Sequence, residues 1–275
     1  MTARPAEGLS ADSRGHHITD IIGKLQYRLA LAGGWIDQPF VSRYDPQPPG
    51  SMVVAAVEPQ FRWMDRAGIC GSTRSIALKL WGGRLPDEPL DVLVRKLYEA
   101  ENKGKADPSG SQDMIGIIYP GICRLDYDYA YEGGLFPRHI ESINDPDTAR
   151  WLQEHLYILP VNMRPEGYSP LGRQNLTPEW VRRLGQSGWD CFDAIARRNL
   201  AALGQSFNDC MKAWSVLMPD ILQHPLLPKD LTALLEYYQS RYAGAMYSGC
   251  GGGYLYVASS EPVAGGFQVQ IKVAL

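Results

Sequence analysis

Between positions 248 and 253 the chain reads SGCGGG, with four glycines in the five positions Gly249 to Gly253; helix-patterned sequence precedes it and the apolar run YLYVAS follows. This order constrains the fold more than any other feature. A dinucleotide-binding fingerprint needs a strand before its glycine loop and a helix after it, and here the order is reversed, so a Rossmann unit is excluded. Taken alone, the loop reads either as a flexible turn between helix and strand or as a second loop beside a ligand's phosphate.

A first glycine-rich element lies far upstream, ICGSTRS from Ile69 to Ser75. It opens into STRSIALKLW, whose apolar Ile76, Ala77, Leu80 and Trp81 follow helical spacing, and Ser72 or Thr73 is expected to cap that helix. A loop of small residues running into a helix N-terminus suits an anion, because unpaired first-turn N–H groups and the helix dipole both favour a phosphate. Hydroxyls at Ser72 and Thr73 can add contacts to a phosphate oxygen or to magnesium. A capped helix after a tight turn explains the same residues, and no Gly-Lys-Ser or Gly-Lys-Thr makes the element a Walker loop.

Around these loops the chain divides into a polar leader over 1–22 and two α+β lobes, 23–122 and 123–275. LQYRLALAGGW and SMVVAAVEP read as strands of the first lobe, and LDVLVRKLYEAENKG as an amphipathic helix ending at Gly104. From ICRLDYDYAYEGG through HLYILPVNM the pattern is that of strands, and from Thr177 to Ala243 that of helices. The strands YLYVAS and FQVQIKVAL close the chain.

Carboxylates supply the remaining candidates. Glu101 ends a helix, and Asp113 sits among small residues in PSGSQDMIG, where there is room for a ligand. For either carboxylate by itself, a solvated surface charge is the plainer reading. Phosphoryl transfer needs hard oxygen ligands for magnesium and a residue on the acceptor hydroxyl, and these two fit. Asp37, after AGGWI, can accept hydrogen bonds from vicinal hydroxyls; an Asx turn before Pro39 is the plainer reading.

In this order the elements resemble the superfamily of galactokinase, homoserine kinase, mevalonate kinase and phosphomevalonate kinase (GHMP), most of all its sugar kinases. RLALAGGWIDQP, with Asp37 nine positions after Arg28, is similar to the first motif. ICGSTRS is similar to the second, phosphate-binding motif, and GAMYSGCGGGYLYV to the third. AENKGKADPSGSQDMIG is similar to the segment carrying a metal-binding Glu and then Gly-x-x-Asp, here Gly110 to Asp113. LYILPVNMRPEGYSP resembles a second-lobe strand and arginine-containing turn of heptose kinases.

The resemblance implies an N-terminal lobe of the ribosomal protein S5 domain 2 type, a ferredoxin-like C-terminal lobe, and use of ATP and Mg2+. Asp113 would orient or deprotonate the acceptor hydroxyl, and Arg28 would stabilise the transferring group. Ser72 and Glu101 would hold magnesium, and Gly71, Ser72 and Thr73 would wrap the nucleotide phosphates. Ser248, Gly249, Gly251 and Gly252 would close the site, while Asp37, Gly34 and Trp35 would meet a sugar-like substrate.

Three departures stand out. Ile69 replaces the first glycine of the second motif. Trp35 stands where galactokinases have histidine and heptose kinases have glycine. Only 31 positions separate Asp37 from Gly68, so the first lobe is shortened where the family encloses the nucleotide base.

A net charge of −3 gives no electrostatic reason to expect nucleic acid. Five widely spaced cysteines with no CxxC, and histidines with no HExxH, suggest neither zinc nor a redox pair. The leader lacks the layout of a secretory signal, and no apolar stretch is long enough for a membrane span, so a cytosolic protein is expected; a homodimer is compatible with it. The leading expectation is an ATP-dependent kinase acting on a hydroxyl of a sugar, sugar phosphate or cyclitol. Two alternatives stay open: a lyase or synthase of the same fold acting on a phosphorylated metabolite, and a non-catalytic sensor.

Overall fold

The computed structural model describes residues 24–105 and 108–274; the polar leader lies outside the described residues. Four antiparallel strands form the first sheet in the order β1 (Tyr27–Ala30), β2 (Gly50–Val57), β3 (Ile122–Tyr127) and β4 (His139–Ile143). The second sheet has the order β5 (Leu156–Asn162), β7 (Gly252–Ala258), β6 (Gly244–Gly249), also antiparallel. The fold is α+β with two sheets. β3 and β4 follow the boundary expected near 122, and both hydrogen-bond into the first sheet.

Eight α-helices lie among the described residues: α1 (Pro39–Ser42), α2 (Gly71–Trp81), α3 (Leu90–Asn102), α4 (Gln112–Ile118), α5 (Pro146–His155), α6 (Pro178–Ala196), α7 (Leu200–Leu217) and α8 (Leu231–Gln239). α6 and α7 form a hairpin between the sheets, α6 packing on β2 and α7 on β6. Their apolar residues recur at helical spacing, Leu184, Cys191 and Ile195 against Leu203, Phe207, Cys210 and Trp214, and all are buried. Truncating one of the largest, such as Phe207→Ala, would cost about 3–5 kcal/mol. α6 approaches β2 so closely that a Cβ on Gly188 would lie 2.0 Å from the Ser51 carbonyl oxygen.

β2 is buried at all eight of its residues because it is central and both α6 and α4 pack on it. Its run GSMVVAAV is therefore apolar on both faces rather than alternating.

Two expectations are corrected. The segment read as strands from residue 123 contains α5, started by Asp145, whose carboxylate accepts from the Thr148 amide at 2.8 Å, and by Pro146 in the first turn. The C-terminal FQVQIKVAL is not a ladder strand: it makes isolated bridges, Phe267 to Ile158 of β5 and Ile271 to Val57 of β2, and so stitches one sheet to the other.

Candidate active site

β1 delivers Arg28, buried at 5% exposure, toward the first turn of α4, where its guanidinium forms an ion pair with Asp113 Oδ1. Arg28 Nη1 also donates to the Gly68 carbonyl at 3.3 Å, and Thr73 Oγ1 of α2 donates to Asp113 Oδ2 at 3.4 Å. β1, α2 and α4 thus converge on one carboxylate. Burial works against the Arg28 charge, but the Asp113 carboxylate and the groups around it together outweigh burial, and the guanidinium is held above its ordinary pKa. The close packing depends on Gly116 of α4, where a Cβ would fall 2.0 Å from Arg28 Cγ.

Asp37 lies beside this pair with no exposure at all. Gln112 Nε2 donates to its Oδ1 at 3.1 Å, and Gln38 Nε2 reaches Oδ2 at 3.5 Å. Burial, reinforced by the Asp113 charge, pushes the Asp37 carboxyl up to about 7, although the Gln112 hydrogen bond opposes the rise. At neutral pH it is therefore part carboxylic acid and part carboxylate, able to donate as well as accept.

α2 begins differently from the expectation. Its N-cap is Cys70, held in the left-handed region at φ 46°, and no side chain caps the helix; Ser72 and Thr73 lie inside the first turn. The first-turn amides are consequently left to solvent or a ligand, which favours an anion there. Burial pushes the Cys70 thiol up to about 12, so it is a neutral wall rather than a nucleophile.

Two cavities meet at the Arg28–Asp113 pair. One, of about 560 Å³, is walled by the α2 start with Ile69, Cys70, Gly71 and Ser72, and by Met64 and Tyr168. The other, of about 740 Å³, is lined by Gly34, Trp35, Asp37, Gln38, Phe40, Gln112 and Trp214. Arg28, Gly68, Asp113 and Arg164 line both. A third cavity of about 280 Å³ adjoins the first, sharing Met64, Ile69 and Gly71 and adding Tyr27, Trp63 and Leu78.

The glycine-rich hairpin between β6 and β7 contributes unevenly. Ser248, Gly249 and Cys250 line the second cavity. The Ser248 hydroxyl is already engaged, donating to the Ala67 carbonyl at 2.6 Å and accepting from the Tyr254 amide at 2.9 Å. It braces the loop before α2 instead of offering itself to a ligand. Gly251 and Gly252 line neither of the two cavities at the Arg28–Asp113 pair; the Gly251 amide donates to the Ile221 carbonyl at 2.9 Å, and Gly252 packs on Asn162.

Glu101 is likewise not brought to either cavity. Its Oε1 faces Lys105 Nζ at 3.6 Å, and its buried Oε2 has no hydrogen-bond partner. Sequence reasoning assigned no role to Gln112 or Arg164; Arg164 falls in the arginine-containing turn already noted, but only the fold shows that it faces both cavities.

No protein-family profile and no curated protein matches the sequence. Solved structures do match. A D-glycero-D-manno-heptose 1-phosphate kinase from Bacteriodes thetaiotaomicron is similar over 91% of this chain and 96% of its own, with TM-score 0.52 and 12% identity. Lactococcus lactis galactokinase complexed with galactose is similar over 91% and 94%, with TM-score 0.54 and 12% identity. Streptococcus pneumoniae phosphomevalonate kinase in complex with phosphomevalonate and AMPPNP is similar over 87% and 92%, with TM-score 0.55 and 12% identity. The chain has the GHMP kinase fold. Among the described residues no helix is long and apolar enough to cross a membrane.

Proposed function

We propose that the protein is a kinase transferring the γ-phosphoryl group of ATP to a hydroxyl of a sugar, sugar phosphate or cyclitol. The observation that carries this reading is the Arg28–Asp113 pair at the junction of two cavities, one of which ends on the uncapped start of α2. Phosphoryl transfer needs little covalent help from a protein; positioning and charge stabilisation supply most of the catalysis.

In this reading the amides of Gly71, Ser72 and Thr73 receive the nucleotide phosphates, and the small cavity beside Tyr27, Trp63 and Leu78 receives the base. That cavity serves in place of the chain missing between Asp37 and Gly68, where the fold has only α1 and β2. Asp37, Gln38 and Gln112 bind acceptor hydroxyls, with Gly34 and Trp35 shaping the wall. Asp113 takes up the proton of the attacked hydroxyl, held in place by Arg28 and Thr73.

Magnesium, when bound, would neutralise phosphate oxygens. The Ser72 hydroxyl, exposed on the first cavity, fits such a hard cation. Glu101 offers one orphaned oxygen but faces Lys105 and lines neither cavity, so Ser72 and the phosphates themselves are the proposed holders.

The test is a screen of sugars, sugar phosphates and cyclitols for ATP-dependent phosphorylation by wild type and Asp113→Asn. Transfer that survives at full rate in a folded Asp113→Asn protein contradicts the assigned role. A second reading gives the glycine loops a phosphorylated metabolite instead of ATP, and the short interval before Gly68 favours it. Calorimetry separates the two, since this reading requires the metabolite to bind without nucleotide and ATP not to bind.

A further inference from the structure

Arg28 cannot by itself supply net positive charge at the junction of the cavities, because Asp113 neutralises it and Gly68 occupies another of its nitrogens. Arg164 is the other arginine lining both cavities, and it lies on the segment that leaves β5. This residue is half-buried and aimed. Its main-chain amide and its Nε both donate to the Arg66 carbonyl, at 3.1 and 3.2 Å, and Arg66 returns a hydrogen bond from its guanidinium to the Pro165 carbonyl. With Nε pinned, the plane of the guanidinium is set. Nη1 and Nη2 of Arg164 have no partner among the described residues.

A guanidinium oriented through one nitrogen, with two donors unspent at the meeting point of two cavities, is built to receive an anion that sits between them. On the kinase reading, on which this inference rests, only one group lies there: the phosphoryl group in transit. We propose that Arg164 is a catalytic residue, contributed by the segment after β5, whose Nη1 and Nη2 contact the γ-phosphate where the two cavities meet. In the step it serves, the acceptor oxygen forms a bond to the γ-phosphorus as the bond from phosphorus to the β–γ bridging oxygen breaks. That electron pair leaves with ADP, and the acceptor's proton passes to Asp113. Arg164 is unchanged by the step and offsets charge on the oxygens of the moving group.

The decisive variant is Arg164→Gln. Its Nε2 occupies the place of the arginine Nε and can still donate to the Arg66 carbonyl, so the brace survives while both Nη donors and the charge are lost. Calorimetric titrations with magnesium AMPPNP and magnesium ADP are made on wild type, Arg164→Gln and Arg164→Lys, with thermal melting to confirm folding. The expected result is that Arg164→Gln weakens AMPPNP by about 10- to 100-fold, as loss of charge-assisted hydrogen bonds implies. ADP affinity should stay within about 3-fold, since ADP lacks the group contacted, and Arg164→Lys should recover part of the loss. Equal weakening of both nucleotides would overturn the inference by showing that Arg164 only clasps the loop before α2, and unchanged AMPPNP binding would overturn it outright. If wild type binds neither nucleotide, the kinase reading fails and this inference fails with it, a result distinct from the other two.

Discussion

The Arg28 guanidinium and the Asp113 carboxylate, 85 positions apart in sequence, form an ion pair where the two cavities join. Arg28 is buried on a strand, and Asp113, at 24% side-chain exposure, is the member of the pair that a ligand can reach. Asp113→Asn keeps the shape but removes the proton acceptor and the countercharge. Turnover should fall by about 10²- to 10⁴-fold with little change in nucleotide affinity, read by steady-state kinetics beside calorimetry.

Gly116→Ala tests the packing that sets this pair. The added methyl would overlap the aliphatic stem of Arg28, with Cβ 2.0 Å from Cγ, so the arginine or α4 must shift. A loss of about 1–3 kcal/mol of stability is expected in urea unfolding. Activity should drop further than the folded fraction explains, because Arg28 no longer meets Asp113 squarely.

The pH dependence of stability follows from Asp37. Its folded pKa is raised from 3.8 to about 7, so between those values the native state holds a proton that the unfolded chain has released. The contribution is fully present below the unfolded value and is lost as pH rises through the folded one, so wild type should be less stable at pH 8 than at pH 5 on this account. Asp37→Asn should remove that slope and gain on the order of 1–3 kcal/mol relative to wild type at the higher pH, measured by thermal melting at both. A wild-type slope unchanged in the variant would assign the pH dependence elsewhere.

Ser248→Ala removes the hydrogen bond that ties β6 to the Ala67 carbonyl in the loop before α2, and the one that β7 makes to β6 through the Tyr254 amide. The Ala67 carbonyl and Tyr254 amide are left unsatisfied in a buried setting, which costs about 1–3 kcal/mol. Nucleotide affinity should weaken as the loop loosens, whereas Gly252→Ala, outside both cavities at the Arg28–Asp113 pair, should affect stability and leave affinity nearly untouched. Denaturation and calorimetry on the same samples distinguish these effects.

Residues near one another in sequence and carrying strong local signals were readable without the fold. The run SMVVAAVEP, the α2 pattern and the apolar stripes of α6 and α7 each announce their element through periodicity and turn chemistry. Arg28, Asp37, Thr73 and Asp113 were selected by motif order, and the fold gathers them at one junction. What was illegible depends on long-range placement. Arg164 gains its position only when the segment after β5 crosses to the loop at Arg66, and Glu101 is kept from the cavities by the way α3 packs. Ser248 was named through the third motif; it lines the second cavity, while its hydroxyl is engaged by the Ala67 carbonyl and the Tyr254 amide, a pairing the sequence does not show. α5 was missed despite the Asp-Pro start signal at Asp145, because the apolar runs on either side read as strands. The C-terminal segment alternates like a strand but divides its pairing between two sheets.

The central claim is that the uncapped start of α2 and the cavities around it hold a nucleotide for phosphoryl transfer. Calorimetric titration of magnesium ATP into the purified protein tests it most directly, with Ser72→Ala alongside. The account predicts micromolar to low-millimolar binding that Ser72→Ala weakens. Absence of ATP binding to a folded wild-type protein, with or without magnesium, would contradict it.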